Sequence, residues 1–576
     1  MYYHSPKELL DRLNELQNQR VEMDMAWYDV SLVAYPTLES SNDKFGLAFN
    51  QNSLKGAVRP TGREKSRSIY DSIGITASER LTAGLESLIT PQAAFWHSFA
   101  PSGQFETDEP AAETVEWFET LRNYLFSARY NPMCGFPLAN QRALRSMIGL
   151  GHGIIFVEEA FAKGPMKTPC YYQFIPVPEC YLAVNPQGLH DTNYRSFTRT
   201  ADQLRKQFGE ENLSRRTQEM LKRTQTMDTP VEVLHAVYPD EETKGGEQVW
   251  CSQYMEIEAS HIISKGQFFE FPFIVYQWLP IDNTAYAEGP AMLALAELQS
   301  LQAMGRDSLI ASQQAIRPPL ASAYAPDVPV NMNPGSVNPK MIDPNTGRLL
   351  VQPIISGGHP QLFQEIMLLR REQVKDSMYL NLWMSLSQKG IISATEATIR
   401  AAEKGELLGP AASRIQHALA LMVEREIKII ERKGGFRQGS PLAPPANLAG
   451  QKVDVRFTAP IDKMRRAGDA VGIQRTLETM AQIGQFDPDV FDNLDVDETI
   501  EIVRDRLGAP RKMFRLPSER DQVREQKNQQ QQLQNATLAA PEVAGAAKDG
   551  AQALKTMQEM QAAGGQAIVP GSQGVV

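Results

Sequence analysis

The chain has 576 residues, 42% of them hydrophobic and 22% charged, and its 58 Lys plus Arg against 68 Asp plus Glu give a net charge of -10. One hydrophobic core rarely grows past about 250–300 residues, so this length predicts two to four packed units. The acidic balance excludes a protein that grips nucleic acid by broad phosphate neutralisation, and the four cysteines exclude a disulfide framework.

No basic region leads into an apolar stretch after Met1, and no run reaches the ~18 apolar residues of a membrane span, so neither a leader nor a membrane anchor is expected. Leu9, Leu13, Leu16, Met23, Trp27 and Val30 recur at helical spacing and predict one amphipathic helix. A second stripe, Ile69, Ile73, Ala77, Leu81, Leu85 and Leu88, runs until Pro91. A third carries Val115, Phe118, Leu121 and Leu125, and a fourth covers 137–150.

Short β-branched and aromatic runs follow at Ile154–Glu158, Tyr171–Val177, Cys180–Val184 and Tyr194–Thr198. Asn185-Pro186-Gln187-Gly188 predicts a turn, and Thr200 with Gln203 predicts a capping box. Strands resume at Val231–Tyr238, Gln248–Ile257, His261–Ser264 and Phe271–Trp278, joined by short connections that predict antiparallel pairing. Helix returns over 285–316, where Ala294, Leu298, Leu301, Gly305, Leu309, Ser312 and Ile316 share one face of mostly small residues. Residues 317–357 hold eight prolines, including Pro326, Pro329 and Pro334, with Asn331, Asn333, Asn338 and Asn345 among them. That composition predicts an extended, turn-rich insertion.

A further helix spans Pro360–Leu386, and Ser387-Gln388-Lys389-Gly390 separates it from a third at Thr395–Lys433 that Pro410 should kink. A final helical section at 461–527 precedes a Gln-, Ala- and Gly-rich tail at 528–576 with too few large apolar residues to fold alone. The fold class expected is α+β, mainly helical.

Candidate chemistry is sparse. Gly149-Leu150-Gly151-His152-Gly153 has helix before and strand after, the reverse of a dinucleotide-binding turn, so it predicts a helix-to-strand turn. The eight histidines are scattered and no cysteine pair has zinc spacing. Asp487, Asp489 and Glu498 match positions 1, 3 and 12 of a calcium loop, but Phe491 and Asp492 fail positions 5 and 6. Helix capping by Asp495 or Asp497 is the simpler reading. Arg511, Lys512, Arg515, Arg520, Arg524 and Lys527 are interleaved with acids and predict a solvated helix face, with contact to DNA or an acidic partner as the alternative. No catalytic residue, metal site or cofactor is expected.

Three stretches resemble the head-to-tail connecting, or portal, proteins of short-tailed bacteriophages. They are Glu79-Arg80-Leu81-Thr82-Ala83-Gly84-Leu85-Glu86-Ser87-Leu88-Ile89-Thr90-Pro91 with Phe95-Trp96, then Glu288-Gly289-Pro290-Ala291-Met292 continuing to Arg317-Pro318-Pro319, and Thr395-Glu396-Ala397-Thr398-Ile399-Arg400 through Gly409-Pro410 to Arg414-Ile415. The layout of 461–516 is also similar, so the resemblance covers roughly 10–525. It departs at Trp96-His97, where the family has Trp-Phe, and at Leu301-Gln302, where it has Leu-Asn.

The resemblance implies a phage portal fold: wing at 1–284, stem helices at 285–316 and 358–386, clip at 317–357, tunnel loop at 387–394, a kinked long helix and wing return at 395–460, and a helical crown at 461–527. It implies a homo-oligomeric ring, usually a dodecamer, at one capsid vertex of the virion, assembled in the host cytoplasm. Ser387, Gln388, Lys389 and Gly390 would meet the DNA, and Pro326, Pro329, Asn333, Pro334 and Asn338 would dock the terminase large subunit and then the tail adaptor or nozzle. Gly409 and Pro410 would form the helix kink, and Leu298, Leu301 and Gly305 would lie in the subunit interface. Capsid and scaffolding proteins would be further partners, with no membrane. B-DNA carries one charge per ~1.7 Å of axis, so a strongly basic channel would hold it, whereas an acidic or neutral one lets it slide. A ring-forming tail or scaffold component without a DNA channel is the alternative, and a metal hydrolase using Asp487, Asp489 and Glu498 is a third reading.

Overall fold

The computed structural model describes residues 2–36, 69–101, 112–159, 169–223, 226–240, 248–322, 330–331, 333, 335–339, 341–354, 360–381, 394–448, 453–483, 494–507, 520, 522–530 and 555. The chain divides into two compact units, Met1–Gly472 and Ile473–Val576.

The N-terminal stripe is two helices, α1 (Pro6–Gln19) and α2 (Val21–Val33), rather than the one expected. Ser5 and Glu8 form a capping box at the start of α1. The break falls at Arg20, whose buried guanidinium donates to the carbonyls of Cys180 (2.5 Å) and Pro178 (3.0 Å), pairs with Asp24 (3.0 Å) and lies 3.7 Å over the Tyr181 ring. Reaching those carbonyls requires the side chain to point into the body of the unit, which no continuous stripe of leucines would signal.

α3 (Ile73–Ile89) ends before Pro91. β1 (His97–Pro101), α4 (Ala112–Arg129) and α5 (Phe136–Leu150) follow. Gly151, at φ 82°, turns α5 into β2 (His152–Glu159), as the glycine cluster predicts. β3 (Cys170–Ile175), β4 (Cys180–Val184) and β5 (His190–Thr200) come next, and Asn185 Oδ1 accepts from the amides of Gln187 and Leu189 in the predicted turn. α6 (Ala201–Phe208) opens on the Thr200–Gln203 capping box, and α7 (Arg215–Leu221) follows. β6 (Pro230–Pro239), β7 (Trp250–Glu256), β8 (His261–Phe268) and β9 (Phe273–Gln277) complete the strands expected from the sequence.

Strands β4-β5-β6-β7-β8 form an antiparallel sheet, and β3-β2-β9 a second. Alternation along β6 explains how the larger sheet is covered. Leu234, Ala236 and Tyr238 meet Leu9, Leu13 and Leu16 of α1, while Val231 and Val233 join Ala201, Leu204 and Leu213 from α6 and the segment before α7.

The two-residue strands β10 (Leu279–Pro280) and β11 (Ala287–Glu288) pair, and α8 (Pro290–Leu293) leads to α9 (Leu295–Ile316). The expected helix over 285–316 therefore starts at Pro290 and is interrupted at Ala294, because the preceding residues form this small hairpin. In the insertion, β12 (Leu320–Ser322) pairs with β13 (Val351–Pro353). α10 (Pro360–Ser377) is interrupted at Met378 and Tyr379, where Tyr379 has a positive φ of 55° and its ring packs edge-on against Trp278. The chain is helical again at Leu380 and Asn381, and the rest of the helix expected to Leu386 lies outside the described residues. α11 (Ala394–Arg432) runs through Pro410 as one helix, although Pro410 offers no N–H to the Glu406 carbonyl.

β14 (Val453–Phe457) pairs with β1 across more than three hundred residues, a sheet that local pattern cannot reveal. The helices α12 (Pro460–Ile483) and α13 (Val496–Leu507), with helical residues 522–530, occupy the section predicted to be helical at 461–527. Asp495 caps α13, accepting from the amides of Asp497 and Glu498. Asp497 instead receives both guanidinium nitrogens of Arg524, at 2.5 and 2.6 Å.

Candidate functional site

The helix–insertion–helix unit made by α9, the β12–β13 ribbon and α10 is the part of the chain least explained by its own packing. The N-terminal half of α9 is fixed to the core. Leu298 and Leu301 are fully buried, and a Cβ on Gly305 would lie 2.9 Å from Tyr70 Cβ. Gln302 clasps the start of α3: its Oε1 accepts from the amides of Tyr70 (2.7 Å) and Asp71 (3.0 Å), and its Nε2 donates to the Asp71 carbonyl (2.6 Å). Arg371 of α10 closes the clasp on Asp71 at 2.8 Å, and Arg370 pairs with Glu297.

These contacts correct one expectation. Leu298, Leu301 and Gly305, expected at a contact between subunits, are covered by the chain's own α2, α3 and Tyr70. The small residues on that face do admit a close neighbour, but the neighbour belongs to the same chain.

Beyond Gly305 the environment reverses. Leu309, Ile310 and Ile316 on α9 and Leu368 and Leu369 on α10 are exposed, Ile316 by 78% and Leu369 by 66%. Residues 308–316 carry no charge at all. The insertion continues this surface through Val337, Ile342, Leu349 and Ile354, all exposed. Its fold rests on polar turns instead of a core. Asn338 exchanges side-chain hydrogen bonds with the backbone of Asn331 (2.7 and 2.8 Å), and Asn331 Oδ1 accepts from Asn333 N at 3.1 Å. Asp343 accepts from Asn345 N and from Thr346 Oγ1 in a turn with Gly347 at φ 67°. A two-stranded ribbon exposed on both faces is marginal in water, and so much uncovered aliphatic surface marks a contact surface.

Of the other expected site residues, Pro326, Pro329, Pro334, Ser387, Gln388, Lys389 and Gly390 lie outside the described residues, as do Asp487, Asp489, Arg511, Lys512 and Arg515. Gly409 and Pro410 lie within α11. Gly405 and Gly409, one turn apart, let Arg465 of α12 approach, its backbone nitrogen 3.1 Å from where a Gly405 Cβ would stand. The two positions at which the resemblance departs, Gln302 and His97, both carry polar contacts. Gln302 makes the clasp above, and His97 Nε2 accepts from Arg129 Nη1 at 3.0 Å. A guanidinium only donates, so His97 is neutral, in keeping with burial and the nearby Arg129 and Arg122 holding it well below its ordinary value. Composition could have flagged the uncharged 308–316 stretch. The clasp could not be found that way, because its partners are some 230 residues apart.

Among the described residues there is no cluster of His, Cys, Asp or Glu that could hold a metal, and no helix is long and apolar enough to cross a membrane. The structure thus presents an anchored helix pair that carries an exposed aliphatic insertion. The model of the bacteriophage head to tail connecting protein family matches residues 6–514, and the chain belongs to that family. It is similar to the portal protein of Salmonella phage epsilon15, at 26% identity over 571 residues covering 96% of each chain. It is also similar to the probable portal protein of Bordetella phage BPP-1, at 24% identity over 92% of this chain and 93% of that one. Among solved structures, a chain from the neck of a native gene transfer agent particle computed with C12 symmetry aligns with 76% of this chain and 91% of its own, at 12% identity and a TM-score of 0.36.

Proposed function

We propose that the chain is the subunit of a portal ring at one vertex of a phage capsid, a conduit for double-stranded DNA during packaging and ejection. The family match over 6–514, with relatives named as portal proteins aligned along almost their whole length, is the observation that carries this reading. In it, residues 1–284 form the wing, 285–316 and 358–386 the stem, 317–357 the clip, 387–394 the tunnel loop, 395–460 the long helix and wing return, and 461–527 the crown. The clip meets the packaging terminase and then the tail adaptor, and the ring, a dodecamer in this reading, sits among capsid and scaffolding proteins in the virion. Its role is structural, with the packaging ATPase on another chain.

Ring closure needs heterologous contacts, one surface of each subunit against a different surface of the next. The exposed apolar half of α9 and α10 supplies such a surface, and it replaces Leu298, Leu301 and Gly305 as the proposed subunit contact. The test is imaging of the purified full chain with and without Leu309→Glu and Leu369→Glu together. Wild-type protein should form rings, and the double variant, folded by circular dichroism, should assemble at least ~tenfold more weakly. Monomers alone under every condition would remove the ring. A ring whose opening is too narrow for duplex DNA would favour a tail or scaffold component.

A further inference from the structure

The core hands over to α9 through one tight crossing. Gly151 ends α5, and the hairpin residues 286–289 run directly against it. A Cβ on Gly151 would overlap the Ala287 carbonyl, and one on Gly289 would stand 2.6 Å from the Ile148 carbonyl oxygen. Trp278 N donates to the Gly151 carbonyl at 3.1 Å. α8 begins at the next residue, Pro290, so the direction of α9 is set at this crossing.

Two imidazoles meet at it, His152 inside and His190 half-buried at its edge. His152 is fully buried, its ring 6.1 Å from that of His190 on β5 and 5.8 Å from that of Tyr286. His190 Nε2 lies 3.0 Å from the Ala285 carbonyl oxygen and therefore donates to it. The Leu150 and Ala285 carbonyls lie near His152, yet neither of its nitrogens makes a well-directed hydrogen bond. From α2, Trp27 seals the crossing, with Nε1 donating to the Leu150 carbonyl at 2.9 Å and its ring edge-on to Tyr286.

The titratable neighbour that acts on His152 is His190. Arg20 and Asp24, from the break between α1 and α2, act on Tyr286, and Asp191 beside His190 accepts from Thr192 Oγ1. Burial, reinforced by His190, holds His152 down at about 3, and burial lowers His190 as well.

We propose that this crossing is a proton-operated joint, closed while His152 and His190 are neutral and opened by acid, which frees residues 285–294 and with them the root of α9. Around the fully buried His152 the closed site offers an imidazolium neither water nor a carboxylate, and an imidazolium at the half-buried His190 would repel it. His152 can therefore take up a proton only as the joint opens. Both histidines are depressed in the closed form, so closure is fully favoured above the ordinary histidine value of about 6.5 and loses ground as pH falls below it. This inference does not depend on ring formation.

The experiment is amide hydrogen exchange of the full-length protein, corrected for the intrinsic pH dependence of exchange. Protection of the 285–294 segment should fall at least ~tenfold between about pH 7 and about pH 5, ahead of strands β6 and β7. A His152→Leu, His190→Gln double variant should keep its protection to about one pH unit lower. His235, equally buried and pushed down to about 3 but lying on β6, is the control, and His235→Phe should leave the 285–294 profile unchanged. Deuteration at the imidazole C2 position follows each histidine in the wild-type protein, so the answer does not rest on variants that fold. An unchanged profile in the double variant, protection at pH 5 equal to that at pH 7, or His152 titrating near 6.5 with the joint still closed would each overturn the proposal.

Discussion

Glu426 shows how much one buried side chain holds in this molecule. It lies on α11 and accepts from Arg129 Nε (3.2 Å), from Arg129 Nη2 (2.5 Å) and from the Tyr172 hydroxyl. It so joins the long helix to α4 and β3. Burial, then the Glu426 carboxylate, raises the Tyr172 phenol, so that hydroxyl stays a donor across the working range. Glu426→Ala strands the Arg129 guanidinium in the core and should cost about 3–5 kcal/mol, whereas Glu426→Gln, which keeps the shape and one acceptor, should cost less. Denaturant unfolding measures both, and a loss below about 1 kcal/mol for the alanine variant would mean that α11 is anchored elsewhere. A glutamate on a helix reads from sequence as a solvated charge, and its partners are 297 and 254 residues away.

At the scale of elements, the termini follow local chemistry closely. Asp495 accepts from two amides at the start of α13, and Asp495→Ala should cost about 1 kcal/mol, read as faster amide exchange along α13 with α11 unaffected. Equal exchange in the variant and the wild type would show that the cap is not needed. Asp497, the second residue of α13, is held below the ordinary aspartate value by hydrogen bonds from Arg524. A depressed carboxylate stabilises above its unfolded value and loses that contribution as pH falls through its folded one, so the α13 pairing with 522–530 weakens in acid and, being exposed, in salt. The strands β2 to β9 and the Thr200–Gln203 capping box were legible because alternation, turn residues and caps act within a few residues. The break at Arg20, the end of α10 before Tyr379 and the β1–β14 pair were not, since each is decided by a partner far away in the chain.

For the whole molecule, the net charge of -10 still argues against a clamp on DNA and agrees with a conduit that holds it weakly. In the proposed reading the segment 387–393 meets the DNA. Its shortening should therefore reduce DNA retention or packaging while rings still form, as seen by parallel imaging and packaging assays. Normal packaging by that variant would remove the tunnel-loop assignment.

The sequence by itself determined the mixed helix-and-strand class, most of the helices, the strands β2 to β9 and the family, because periodicity, caps and motif residues are properties of neighbouring positions. Which face of α9 is free was decided only by the tertiary structure. The stripe from Ala294 to Ile316 is continuous in sequence, but α2, α3 and Tyr70 cover its first half and leave its second half exposed. Burial depends on what the rest of the chain brings alongside, so a helix of small and aliphatic residues cannot announce which part is core and which part stays exposed.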